Sequence, residues 1–142
     1  MSAFKGILYA KALAELHSLC FSAPWTLENF TKILALPTTF GFGDEKGFIL
    51  CADLIEDIEI LTLAVHPKYR RQGMASALLD EVKQLVQQQN KKHIFLEVNA
   101  TNTPAKQLYL KNGFQQIGYR KNYYHENGQT SDALCLSWTH SQ

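Results

Sequence analysis

The sequence predicts an α/β fold (α+β by some schemes): a mixed central sheet of about six to seven strands with about four helices on both faces. Three observations predict it. The middle of the chain alternates strand, helix, strand, helix, strand, which calls for right-handed crossovers and an at least locally parallel sheet. One of those strands, Glu59 to Val65, is apolar at Ile60, Leu61, Leu63, Ala64 and Val65, the pattern of a strand covered on both faces. The chain then closes with strands that have no helix between them, so the sheet as a whole is mixed. At 142 residues, 46% apolar and 19% charged, the chain fits a single domain, 1–142, large enough to bury a core without staples.

Each element has its own signal. Ala10 to Phe21 carries Leu13, Leu16 and Phe21 at helical spacing. Thr26 can cap a second helix, with Asn29 standing where Glu is more usual, and that helix should run to about Ala35 and stop before Pro37. Thr39 to Gly43 and Phe48 to Ile55 read as strands joined through the turn-rich Asp44-Glu45-Lys46-Gly47. Pro67 ends the apolar strand. Gly73 to about Asn90 follows as a helix, with Met74, Ala77, Leu78, Val82, Leu85 and Val86 on one face. His93 to Val98 is β-branched and apolar. Asn102 is a good N-cap, Pro104 suits a first turn, and Gly113 suits a left-handed C-terminal cap. Phe114 to about Tyr119 and Ala133 to Trp138 finish as strands, with Glu126-Asn127-Gly128 as a turn between them.

Composition narrows the function classes. The net charge of +1 offers no basis for a nucleic-acid or membrane surface. The five histidines are scattered and the three cysteines, Cys20, Cys51 and Cys135, form no CxxC, so neither a disulfide framework nor a metal site is expected. Each cysteine lies in an apolar stretch and is expected to act as a small buried hydrophobe. With no leader-like apolar run and no span of transmembrane length, the expectation is a soluble protein of the reducing cytoplasm. A monomer is the expected oligomeric state.

The most informative segment is Val65-His66-Pro67-Lys68-Tyr69-Arg70-Arg71-Gln72-Gly73-Met74-Ala75. A buried strand ends, a basic turn follows and a helix opens at Gly73. Helix N-termini present unpaired N–H groups and partial positive charge, which suit a pyrophosphate. Gly73 lacks a Cβ and admits close backbone approach, Ala75 is small, and Arg70 and Arg71 add charge at the rim. On these residues alone an ordinary strand-to-helix turn with exposed arginines explains the segment equally well. It is neither a P-loop nor a GxGxxG fingerprint.

Arg70-Arg71-Gln72-Gly73-Met74-Ala75 resembles the R/Q-x-x-G-x-G/A motif of the GNAT superfamily of N-acetyltransferases. Leu96 to Phe114 resembles that family's E-V-x-x-x-N-x-x-A-x-x-L-Y-x-x-x-G-F signature at every named position. Arg120-Lys121-Asn122-Tyr123-Tyr124, Pro24-Trp25 and Asp132-Ala133 are similar to elements of its ribosomal-protein-alanine branch (the RimI type). The resemblance implies a GNAT fold and acetyl-CoA as cosubstrate, with no metal. It implies that the loop Arg71, Gln72, Gly73, Met74, Ala75 and Ser76 binds the pyrophosphate, with Arg70 cofactor-binding at its rim. By the same resemblance the backbone of Leu63, Ala64 and Val65 pairs with the pantetheine arm in a splayed, bulged slot, and Asn102 contacts CoA. Glu97 falls at the family's general base and Tyr109 at its general acid.

The residues themselves are compatible with these roles and with plainer ones. Transfer to an amine needs a base for the ammonium proton, and a carboxylate within an apolar strand can serve. A lone charge there costs desolvation unless it is paired or on the wet face, so on spacing alone Glu97 reads first as an outward-facing strand residue, and the resemblance reverses that order. Tyr109 can protonate a departing thiolate, or pack as a core aromatic beside Leu108. Asn102 is first a helix cap. The expected acceptor is a protein N-terminus, specifically the N-terminal alanine of a ribosomal protein. A lysine side chain or small-molecule amine is the first alternative, and a non-catalytic acyl-CoA sensor the second. The acceptor half is expected from Trp25 to Leu36 and Asn122 to Thr130.

Overall fold

A computed structural model describes residues 2–140 as seven strands, four α-helices and two short 3-10 turns. The strands are β1 (Ala3–Phe4), β2 (Thr39–Asp44), β3 (Gly47–Asp53), β4 (Asp57–Val65), β5 (His93–Asn99), β6 (Gln115–Glu126) and β7 (Gln129–Thr139). The helices are α1 (Ala10–Cys20), α2 (Leu27–Leu34), α3 (Met74–Gln88) and α4 (Thr103–Lys111). All seven strands form one sheet in the order β1-β2-β3-β4-β5-β7-β6. Only β4 and β5 pair in parallel; β7 slips between β5 and β6, so the last helix crossover reaches a strand that is not β5's neighbour. This is the mixed sheet expected from the element order.

Local chemistry sets the helix boundaries. Thr26 Oγ1 accepts from Asn29 N–H at 3.1 Å while Asn29 Oδ1 accepts from Thr26 N–H at 3.0 Å, so the shorter Asn completes the capping box that Glu usually makes. Asn102 Oδ1 accepts from Ala105 N–H at 3.2 Å and opens α4. Gly113, at φ +90°, lets the chain leave α4 in the left-handed region. Two elements end earlier than the sequence expectation for a local reason. β3 stops at Asp53 because Ile55, at φ +74°, turns the chain, and α3 stops at Gln88 because Asn90 is left-handed. The closing strands run much further than their apolar cores suggest, since ladder hydrogen bonds carry polar residues outward into a long hairpin.

Helices cover both faces. α1 and α2 set Ala10, Leu13, Leu16, Phe30 and Leu34 against Phe48, Leu50 and Ala64 of the sheet. α3 and α4 set Leu78, Leu79, Val82, Val86 and Tyr109 against Ile49, Cys51, Ile58, Ile60, Ile94, Leu96 and Val98 on the opposite face. Each fully buried Leu or Phe contributes about 2 kcal/mol relative to exposure. Of the cysteines only Cys51 is fully buried; Cys20 and Cys135 are half-buried, a correction to the expectation for all three. Cys20 lies at the end of α1, where its thiol donates to Val65 O at 3.3 Å.

One irregularity positions the site. Leu50 pairs with Thr62 and Cys51 with Ile60, which leaves Leu61 as an extra residue in β4. Side chains alternate faces along a strand, so the bulge reverses the parity. Before it Ile58 and Ile60 face α3 and α4; after it Leu63 does, while Leu61 and Ala64 face α1 and α2.

Candidate active site

β4 and β5 pair at only three positions, Asp57 with His93, Ile58 with Ile94 and Glu59 with Phe95. Beyond Glu59 the two strands part. β5 continues on β7 and β4 continues on β3, leaving the facing edges of both open. The slot between them belongs to a cleft of about 590 Å³ lined by Ile60, Leu61, Thr62 and Leu63 from β4 and Leu96, Glu97, Val98 and Asn99 from β5. β4 is therefore not covered on both faces throughout, as its apolar run suggests. Leu61, Thr62 and Leu63 are half-buried because the splay exposes them.

Glu97 and Tyr109 both line this cleft. They come from opposite sides of the sheet: Leu96 and Val98 point into the α3/α4 core, so Glu97 points away from it, while Tyr109 lies within that core. The slot lets both reach one space. Glu97 is neither lone nor fully solvated. Its side chain is 25% exposed and its Oε1 lies 3.1 Å from Arg120 Nη2, a pair that offsets its desolvation. β7 stands between the two, and its residues opposite Glu97 and Arg120 are the small Cys135 and Ala133. Tyr109 is buried and packs edge-on against Phe114 at 5.6 Å. Burial pushes its phenol up to about 12, so it carries its proton at neutral pH.

Two further groups respond to this charge arrangement. Burial, with the Glu97 carboxylate second, holds the half-buried Glu59 above its ordinary value. Tyr124, which also lines the cleft, is raised by burial first and then by Glu97.

The turn after β4 stands outside the cleft lining. A 3-10 turn at Pro67–Tyr69 follows, with His66 Nδ1 accepting from Lys68 N–H at 3.1 Å, and Arg70 Nε donates back to Val65 O at 3.1 Å. Arg70, Arg71, Gln72 and Gly73 are exposed; Met74, Ala75 and Ser76 are half-buried. Arg71 and Gly73 take φ of +62° and +78°, and no side chain caps the first turn of α3. A Cβ on Gly73 would meet nothing within 4 Å, so the space on that side of the turn is open. Asn112 Nδ2 donates to Ser76 Oγ at 3.2 Å and fixes the start of α3 to the end of α4. Leu63 lines the cleft, Ala64 is buried and Val65 O is engaged by Arg70 and Cys20. Asn102 caps α4 and also lines the cleft.

The far rims differ from the sequence expectation. Trp25 lines the cleft, but α2 does not; His17, Phe21, Ser22 and Ala23 do, facing Tyr124, His125 and Glu126 of the hairpin. Ser22 Oγ donates to Glu126 Oε1 at 3.3 Å across the opening. His17 stacks on Phe21 at 4.1 Å and on Trp25 at 5.3 Å. Sequence reasoning missed His17 as a lining residue and Arg120 as the partner of Glu97. The Arg120-to-Tyr124 motif was the available signal for the second; nothing local marked the first. Among the described residues no group of three His, Cys, Asp or Glu is placed to hold a metal, and no helix is long and apolar enough to cross a membrane.

A splayed parallel pair beside an uncapped helix start, with a carboxylate and a phenol in the gap, describes a group-transfer site. The family model described as the acetyltransferase (GNAT) family matches residues 10–114, and the chain belongs to that family. It is an acetyltransferase. A Haemophilus ducreyi protein named [ribosomal protein bS18]-alanine N-acetyltransferase is 39% identical over 116 residues, covering 79% of this chain and 80% of its own. A Bacillus subtilis protein, provisionally given the same activity, is 33% identical over 128 residues, covering 86% and 83%. The crystal structure of the Escherichia coli ribosomal-protein-S18-alanine N-acetyltransferase superposes with a TM-score of 0.88 at 22% identity, over 99% of this chain and 94% of that one, which shows the shared fold.

Proposed function

We propose that the chain, acting as one domain in the cytoplasm, transfers the acetyl group of acetyl-CoA to a protein N-terminus, the N-terminal alanine of a ribosomal protein. The observation that carries this reading is the slot beyond Glu59 and Phe95, where an opened strand edge, Glu97 and Tyr109 line one cleft. The names of the Haemophilus ducreyi and Bacillus subtilis relatives support the acceptor.

The donor fits features present in the chain. The uncapped amides opening α3 at Gly73, Met74, Ala75 and Ser76, rimmed by Arg70, Arg71 and Gln72, suit a pyrophosphate. The β4 edge at Leu63, Ala64 and Val65, freed of β5 though Arg70 and Cys20 hold the Val65 carbonyl, suits an amide-bearing arm, which recognition by strand addition would hold in register. Asn102 lines the same cleft, which supports a contact with the same ligand. Glu97 takes a proton from the acceptor ammonium, directly or through water. The freed amine attacks the thioester carbon; the N–C bond forms and the C–S bond breaks. Tyr109 gives its proton to the leaving thiolate and recovers one from the nitrogen, so the balance is one amide, one thiol and one proton released by Glu97. Holding both substrates in one cleft supplies much of the rate, and no covalent enzyme intermediate is required.

The test is mass spectrometry of synthetic peptides incubated with acetyl-CoA and the protein, with lysine-side-chain peptides, aminoglycosides and polyamines as competing acceptors. Acetylation of the α-amine of alanine-starting peptides is expected. Acetylation confined to the competitors would overturn the acceptor, and no turnover with any amine would overturn the enzymatic reading.

A further inference from the structure

The Asp132-Ala133 element has no part in the chemistry above, yet Asp132 occupies a singular place in the hairpin. Arg120 pairs with Ala133 and Tyr124 with Ser131, so three residues of β6, 121–123, stand against the single residue Asp132. In an unbroken ladder Tyr124, four residues past Arg120, would oppose Gln129. The bulge draws it back by two residues, about 7 Å along the strand. Arg120 and Tyr124 thereby become successive residues on the face of the sheet that carries Glu97, since Glu97 pairs with Cys135, and Cys135, Ala133 and Ser131 alternate along one face of β7.

The bulge is held by side-chain hydrogen bonds. Asn122 takes a left-handed φ of +53°, and its N–H donates to Asp132 Oδ1 at 2.9 Å. Thr130 Oγ1 donates to Asn122 Oδ1 at 3.0 Å. Asp132 is itself anchored, because Ala100 N–H, just past β5, donates to Asp132 O at 2.8 Å. A bulge leaves ladder donors unpaired, and a side-chain oxygen at the right position satisfies one of them with a directional bond.

We infer that Asp132 is a positioning residue of the acceptor site: its carboxylate pins the 121–123 bulge, which holds Arg120 against Glu97 and turns Tyr124 into the cleft. The inference rests on the reading of Glu97 as the base. It makes acceptor-side geometry depend on one oxygen position and leaves the donor side untouched, because the α3 turn and the β4 edge share no hydrogen bond with Asp132.

Two substitutions separate position from charge. Asp132→Asn keeps an acceptor oxygen in place and loses the charge; Asp132→Glu keeps the charge and moves the oxygen by a methylene. Steady-state kinetics with an alanine-starting peptide should show Asp132→Glu with kcat lowered about tenfold and acceptor KM raised, at wild-type CoA affinity. Asp132→Asn should stay within about twofold of wild type. The Arg120 side-chain Hε resonance gives a readout that needs no turnover, and it should shift in Asp132→Glu and not in Asp132→Asn. If wild type itself does not turn over, the proposed function fails, while the resonance still decides the positioning role. The reverse ranking of the two variants, parallel losses in CoA affinity, or an Arg120 resonance unmoved in Asp132→Glu would each overturn the inference.

Discussion

Acidification should destabilise the protein through His17, and the size of the effect follows from its hydrogen bonds. The ring is buried at 2% exposure between Phe21 and Trp25. Nδ1 accepts from Trp25 N–H at 3.1 Å, which leaves the proton on Nε2, 3.1 Å from Thr62 Oγ1. Protonating Nδ1 would set one N–H against another, and none of the residues that touch the ring, Phe21, Trp25, Phe30 and Thr62, is an acid. Burial accordingly lowers the imidazole from 6.5 to about 4. The folded value lies below the unfolded one, so the unfolded chain takes up the proton first. Stability is unaffected by His17 above the unfolded value, falls as pH drops toward about 4 and levels off below it. At about pH 4.5 the loss is about 2.5 kcal/mol. Urea denaturation of wild type and His17→Gln at about pH 7 and about pH 4.5 isolates it, since other acidic groups titrate in both proteins. Wild type should lose about 2.5 kcal/mol more than the variant on acidification. Equal losses, or a smaller loss in wild type, would refute the reasoning.

Other perturbations address separate parts of the molecule. Glu97→Gln should lower the chemical step by about a hundredfold while CoA affinity stays at the wild-type value; rapid-quench and calorimetric titration would show it, and unchanged turnover would remove Glu97 from the mechanism. Tyr109→Phe keeps the packing against Phe114 and loses the proton donor, so kcat should fall with little change in Tm. Gly73→Ala strains a φ of +78° by about 1 kcal/mol and places a methyl at the opening of α3, so CoA should bind more weakly to a folded protein. Leu78→Ala empties a fully buried position and should cost about 3 kcal/mol in chemical denaturation with CoA binding retained.

The helices and most strands could be read directly because their signals are short-range. Thr26, Asn102 and Gly113 act on amides or dihedrals within a few residues, and the α3 stripe reports a periodicity that one helix imposes by itself. The GNAT resemblance was likewise carried by contiguous motifs, and the family match over residues 10–114 bears it out. β1 was missed because two residues give no alternation to detect, and the polar outer half of the β6–β7 hairpin because its ladder needs no apolar pattern.

What the sequence determined by itself was which elements form and which candidate residues, Glu97 and Tyr109 among them, those elements carry. Their company was decided by tertiary structure alone. Thr62 meets His17 across 45 positions because Leu61 is an extra residue that changes which way β4 faces. Arg120 reaches Glu97 because β7 enters between β5 and β6 with small side chains on that side. Strand order, bulges and splay are set by the balance of all contacts at once, and side-chain direction reverses with each single-residue shift. No local window of sequence contains that information.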